Sequence, residues 1–174
     1  MTDHTTLVVP VPEAEPLVGA TRTLLDPDAR RGLGAHITLL SPWPGSLDFR
    51  RRDLQRLQNI IGKAEQFEAK LVAIGRFRHT LWLAVEPTEP LINLAEIIFE
   101  EWPEVFPRSG VLRGPPHLTI ANQVRPELLE GLACSISFQL PLPFRVMRVD
   151  IMERARRNGQ WSVHSKLPLS EPFH

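Results

Sequence analysis

The chain has 174 residues, 20 basic and 20 acidic side chains, and 43% apolar content. That length suits one domain, or two small lobes sharing a core, of ordinary globular composition. Balanced charge argues against a protein that coats long polyanions, but leaves open a small site that grips one phosphate.

Cys134 is the single cysteine. An internal disulfide and a cysteine cluster for zinc are therefore ruled out, and a reducing cytoplasm is the expected compartment. Residues 1–16 lack the basic region and long apolar core of a signal peptide. No apolar run approaches the ~18 residues needed to span a membrane. Seventeen prolines, several in pairs such as Pro115-Pro116, favour short elements with defined turns.

In chain order, the Val- and Leu-rich run at 5–11 predicts a buried strand, and 13–25 a helix closed at Asp26-Pro27. Residues 36–40 form the next strand, stopped by the prolines that follow. Leu54, Leu57, Ile60 and Ile61 fall at helical spacing and predict an amphipathic helix over 48–64. Residues 67–77 and 80–85 read as a hairpin around Arg78-His79, followed by a helix over 91–102 and a loop over 105–116. A strand at 117–121 and a short helix at 126–133 come next. Strands are expected at 135–139, 144–155 and 161–167, the last two joined by a turn at Asn158-Gly159. The order strand, helix, strand, helix, strand occurs twice, which predicts an internal duplication.

Two tetrapeptides stand at equivalent places in the two halves: His36-Ile37-Thr38-Leu39 and His117-Leu118-Thr119-Ile120. In a strand, residues two apart share a face. Each strand would bury its Ile and Leu and present an imidazole and a hydroxyl on the other side. Two such strands brought together make a site suited to phosphodiester chemistry. A neutral imidazole takes a proton from the attacking oxygen and a protonated one gives a proton to the leaving oxygen. The hydroxyls hydrogen-bond the phosphate oxygens. A lone strand histidine is more often structural than catalytic. A third match, His4-Thr5-Thr6-Leu7, has no apolar second residue and reads as chance. What sets the other two apart is their equivalent position in apolar strands. Neither motif has carboxylates or cysteines at metal-binding spacing. His79, His164, His4 and His174 lack a partner at motif spacing and read as structural.

The sequence resembles the 2H phosphoesterase superfamily, the group of 2'-5' RNA ligase-like (LigT-like) proteins, which is marked by two His-x-Thr-x motifs. The contexts "AHITLLSPW", "TLWLAV", "PPHLTIA" and "ERARRNGQWSVHSKLPL" fit as well. The resemblance implies one domain over 1–174 with an α+β fold. That fold is a bilobal duplicated unit, two antiparallel sheets flanking a central groove with helices on the outer faces. It implies a metal-independent phosphodiesterase that opens a cyclic phosphate on an RNA end or small nucleotide, with 2'-5' RNA ligation as a related activity. His36 and His117 would be catalytic, His117 as base and His36 as acid in cyclic phosphate opening, the roles exchanging in ligation. Thr38 and Thr119 would bind phosphate. No cofactor, metal or membrane is implied, and a monomer is expected. Arg76, Arg78, Arg113 and Arg125 are candidate phosphate contacts, and Trp43, Phe77 and Phe106 candidate base-stacking surfaces. The rivals are a non-catalytic nucleotide- or RNA-binding module on the same fold and a scaffold that keeps the motifs as relics.

Overall fold

The computed structural model describes residues 4–44, 51–103, 114–156 and 158–172, with only the backbone described at 42–44 and 51. In chain order the elements are β1 (His4–Pro10), α1 (Glu15–Leu25), β2 (His36–Pro44), α2 (Arg51–Ile61), β3 (Phe67–Phe77), β4 (Thr80–Glu86) and α3 (Glu89–Glu101). They continue with β5 (His117–Asn122), α4 (Pro126–Ser137), β6 (Leu142–Val146), β7 (Arg148–Arg154) and β8 (Ser162–Pro168). The prolines act as expected. Pro16, Pro90 and Pro126 each sit in the first turn of a helix, where a missing N–H loses no bond.

The strands form one antiparallel sheet in the order β6-β3-β4-β5-β2-β1-β7-β8. Among the described residues the strands do not divide into the two separate sheets expected. The motif strands β2 and β5 pair with each other, registered at Ile37 and Leu118, and so fuse the two halves. Outward from that seam, one side reads β2-β1-β7-β8 and the other β5-β4-β3-β6. The sheet is curled. A single residue, Met147, separates β6 at one edge from β7 in the other half. The amide of Gln66, just before β3, donates to Ser170 O at 2.9 Å, and the amide of Ser170, just after β8, donates to Ala64 O at 2.9 Å.

One face of the sheet packs on the helices. Ile37, Leu39, Leu118 and Ile120 join Val18 of α1, Leu57 of α2, Leu94 of α3 and Leu129 of α4 in one core. Burying each such side chain is worth about 1.5–3 kcal/mol, enough to fix the register. A slip of one residue would put Ile37 on the open face and His36 in the core.

Two expectations fail locally. Residues 135–139 alternate like a strand, but α4 runs through Ser137. Ile136 is 4% exposed and Phe138 is 89% exposed, so the two do not share a face as a strand would require. Residues 144–155 are not one strand, since the chain must leave β3 at one edge and join β1 in the other half. Residues 48–50 of the expected second helix and 105–113 of the expected loop lie outside the described residues.

Candidate active site

Because Ile37 faces Leu118 in an antiparallel register, the same register sets His36 against Thr119 and Thr38 against His117. All four are on the face away from the core, since Ile37 and Leu118 are both fully buried. Side chains directly opposite on one face have Cβ atoms about 4.5–5.5 Å apart. The two motifs thus meet at the seam of the sheet. His36, His117 and Thr119 are half-buried and Thr38 is exposed.

Both imidazoles are held in the same way. His36 Nδ1 lies 2.7 Å from Gly34 O, and His117 Nδ1 lies 2.8 Å from Pro115 O. A carbonyl can only accept, so each Nδ1 carries a proton and donates it. Each neutral ring therefore keeps a lone pair on Nε2. The two residues before each histidine set this clamp. Glu15 of α1 fixes the first one further, because its Oε1 accepts the amide N–H of Ala35 at 2.5 Å.

Burial, more than neighbouring charge, sets the electrostatics of His36. Desolvation, with the Arg22 guanidinium second, lowers its imidazole from 6.5 to about 4, against the upward pull of Gly34 O, Asp26 and Asp28. Arg22 is 1% exposed and pairs with the buried Asp26 at 2.9 Å. The depressed value has a consequence for stability. The unfolded chain binds more protons than the folded one between about pH 4 and 6.5, so the His36 contribution grows as pH rises through that window and is flat above it. Thermal unfolding followed across the window is expected to show a larger gain in Tm for the wild type than for His36→Gln. An equal pH dependence would contradict the assignment.

An aromatic group flanks His117. Trp82 of β4 and Phe77 of β3 stack with centroids 5.4 Å apart, and their centroids lie 5.3 and 5.8 Å from that of His117. The indole lies across Gly75, its cross-strand partner, where a Cβ would meet Trp82 Cζ2 at 2.1 Å. Gly75 is thus needed for close approach, not for a turn. Sequence reasoning named Phe77 but missed Trp82. The signal was present: Thr80, Trp82 and Ala84 alternate with the buried Leu81, Leu83 and Val85.

The other candidates divide. Arg76 is opposite Leu81 and pairs with Glu130 of α4 at 3.7 Å, so it turns away from the histidine face. Arg78 and Arg125 are exposed, with no ion pair among the described residues. Arg113, Phe106 and the Trp43 side chain lie outside the described residues. His79 is held by the turn, its Nδ1 3.2 Å from Val124 O. His164 lies 3.4 Å from Glu153. In the third motif match, the Thr6 hydroxyl donates to Leu40 O at 3.1 Å and serves the sheet. Among the described residues, no three His, Cys, Asp or Glu side chains are grouped to hold a metal ion.

Two histidines and two threonines thus lie together on adjacent strands of an antiparallel sheet in an α+β fold, as the resemblance to the 2H phosphoesterases leads one to expect. The chain belongs to the 2'-5' RNA ligase superfamily, whose profile matches residues 9–158. Its fold is similar to that of TT0787 of Thermus thermophilus, at 18% identity and TM-score 0.68, covering 99% of this chain and 100% of that one. It is also similar to E. coli LigT complexed with 3'-AMP, at 14% identity and TM-score 0.66, covering 97% and 99%. E. coli LigT in apo form gives 15% and 0.67, covering 97% and 98%. No curated protein sequence is similar enough to match. No helix among the described residues is long and apolar enough to cross a membrane.

Proposed function

We propose that the protein is a phosphodiesterase that opens a cyclic phosphate, on a 2',3'-cyclic RNA end or nucleotide, by acid–base catalysis between His36 and His117. It is one domain over 1–174 made of two pseudo-symmetric lobes, each supplying one motif. The observation that carries this reading is the matched pair of Nδ1–carbonyl clamps across the registered seam, which leaves both Nε2 atoms for proton transfer. The solved LigT structures with 3'-AMP, ATP and NADP+ support a nucleotide-sized ligand for this fold.

In the forward step one imidazole takes a proton from water as the water oxygen bonds to phosphorus. The bond from phosphorus to one ribose oxygen breaks, and the other imidazole, protonated, gives its proton to that oxygen. The product is a phosphomonoester with a free hydroxyl, and the proton is returned through solvent. Thr38 and Thr119 donate to the non-bridging oxygens, where charge builds. The environment of His36 favours it as the base, the reverse of the sequence-based assignment. An imidazole lowered to about 4 is neutral near pH 7 in the free protein. A phosphate anion bound between the rings favours a protonated imidazole beside it, and in this reading the second ring carries the acid proton. With a ribose 5'-hydroxyl in place of water as the attacking group, the same pair would join that hydroxyl to the cyclic phosphate, the ring opening at its 3' oxygen to leave a 2'-5' linkage.

The chemistry needs no metal, and a reducing cytoplasm remains the proposed compartment. The test is a panel of 2',3'-cyclic nucleotides, a short RNA with a 2',3'-cyclic end and ADP-ribose 1'',2''-cyclic phosphate, incubated in EDTA and followed by phosphorus NMR. Conversion to a monoester of single regiochemistry is expected. A folded protein that converts none of them would refute this reading and favour the nucleotide- or RNA-binding module.

A further inference from the structure

Beside His117 lies a cleft of about 680 Å3 whose lining includes Trp82, Ala84, Pro115 and Pro116. Its far end carries Glu68, Lys70, Glu86 and Glu89. The sheet register fixes its place relative to the histidines. Ala84 is the cross-strand partner of His117, and Trp82 that of Thr119. Along β4 the open face then reads Thr80, Trp82, Ala84, Glu86, because Leu81, Leu83 and Val85 are buried in the core. Glu86 stands one strand over and two residues along from His117, roughly 8 Å by strand spacing and rise. That is about the span of a ribose and its base. Ala84 leaves the floor low.

We infer that this cleft takes the nucleobase of the nucleotide whose phosphate lies between His36 and His117, and that it selects a base rich in amino and imino donors, guanine first. The inference rests on the proposed function for the position of the phosphate. Three features carry it. First, Trp82 lines the cleft with its centroid 5.3 Å from that of His117, backed by the Phe77 ring, so an aromatic side chain stands next to the reacting centre. Second, the indole N–H of Trp82 is buried without a hydrogen-bond partner among the described residues. A tryptophan kept in that state, over a glycine that makes room for it, is placed for its ring and not for its hydrogen bond.

Third, the charge at the rim has a sign. Three carboxylates stand against one ammonium, with Arg145 3.8 Å from Glu68. Such a rim repels a second phosphate, so an RNA backbone would leave the site elsewhere. It suits a neutral base whose edge offers donors. A guanine edge donates N1–H and N2–H2 to one carboxylate, and its O6 accepts from an ammonium such as Lys70. Uracil offers two carbonyls and one N–H, and would set oxygen against oxygen. Glu86 and Glu89 make no ion pair among the described residues, so both remain available as acceptors.

The experiment compares kcat/KM for 2',3'-cyclic GMP and 2',3'-cyclic UMP in the wild type, Glu86→Gln and Glu89→Gln. In parallel, guanosine and uridine are titrated by tryptophan fluorescence against the wild type and Trp82→Phe. A preference for the guanine substrate of about tenfold or more, falling toward parity in a glutamine variant that still turns over the uracil substrate, is expected. Quenching by guanosine that disappears in Trp82→Phe is expected with it. Equal turnover of both substrates, or a preference untouched by either glutamine variant, would overturn the subsite while leaving the proposed function standing. If neither substrate is hydrolysed, the proposed function has failed and the titration decides the subsite. Guanosine binding that depends on Trp82 upholds it, and no binding overturns it. Gly75→Val, which displaces the indole without removing it, is expected to lose guanosine quenching as well, so the conclusion does not hang on the folding of one variant.

Discussion

Alanine at His36 or at His117 is expected to lower turnover of a 2',3'-cyclic nucleotide by about 10²–10⁴-fold in either case. In the proposed mechanism each residue holds one half of a proton exchange, so the double variant is expected to be little worse than the poorer single one. The fold should survive both changes. The two side chains are half-buried on the open face, and the anchors of their strands are Ile37 and Leu118 beneath. Circular dichroism and Tm near wild type, alongside lost turnover, check the claim. A different pattern is expected at Thr38 and Thr119. There the loss should fall chiefly on kcat, since the hydroxyls act on charge that develops as the ring opens.

Arg22→Met is expected to destabilise the fold by about 3–5 kcal/mol, because it leaves the buried Asp26 carboxylate without its cation. Asp26 also accepts the amide N–H of Asp28 at 3.1 Å, and so organises the turn that leads toward His36. Asp26→Asn combined with Arg22→Met removes both charges and keeps the oxygen for that amide. It is expected to recover most of the stability lost in the single variant. Denaturant unfolding of the wild type and the two variants measures this. In the double variant two of the three charges that bear on His36, those of Arg22 and Asp26, are gone and Asp28 remains. Desolvation, the largest cause, remains, so His36 should stay below its ordinary value. The acid limb of the pH profile should therefore shift only slightly, while the stability changes are large in one variant and small in the other.

The chemistry-bearing face was legible because alternation in a strand is a strict period of two. In β2 the exposure of Ile37 and Leu39 falls to 0% and 2%, which leaves His36 and Thr38 no other side to occupy. The helices were legible for the same reason at a different period, with Leu91, Leu94, Ala95 and Ile98 all buried along α3. What local pattern did not carry was which strands lie side by side. The pairing of β2 with β5 is a contact across 81 positions (37 to 118). No feature of either tetrapeptide distinguishes one continuous sheet from two facing ones. The break at Met147 is of the same kind, since it follows from β6 and β7 belonging to opposite halves. Trp82 was passed over because a tryptophan in an apolar strand reads first as core. Only the cross-strand partners Gly75 and Thr119 reveal that it lies on the open face. Sequence reasoning did not single out Arg22. The hint was its i, i+4 spacing to the Asp26-Pro27 turn.

The most direct test of the two-histidine account is the pH dependence of kcat/KM on 2',3'-cyclic GMP in EDTA, for the wild type and for the His36→Ala and His117→Ala variants. A bell-shaped profile is predicted for the wild type, with each variant losing one limb along with most of the rate. A profile flat across the histidine range, or full turnover in either variant, would contradict it.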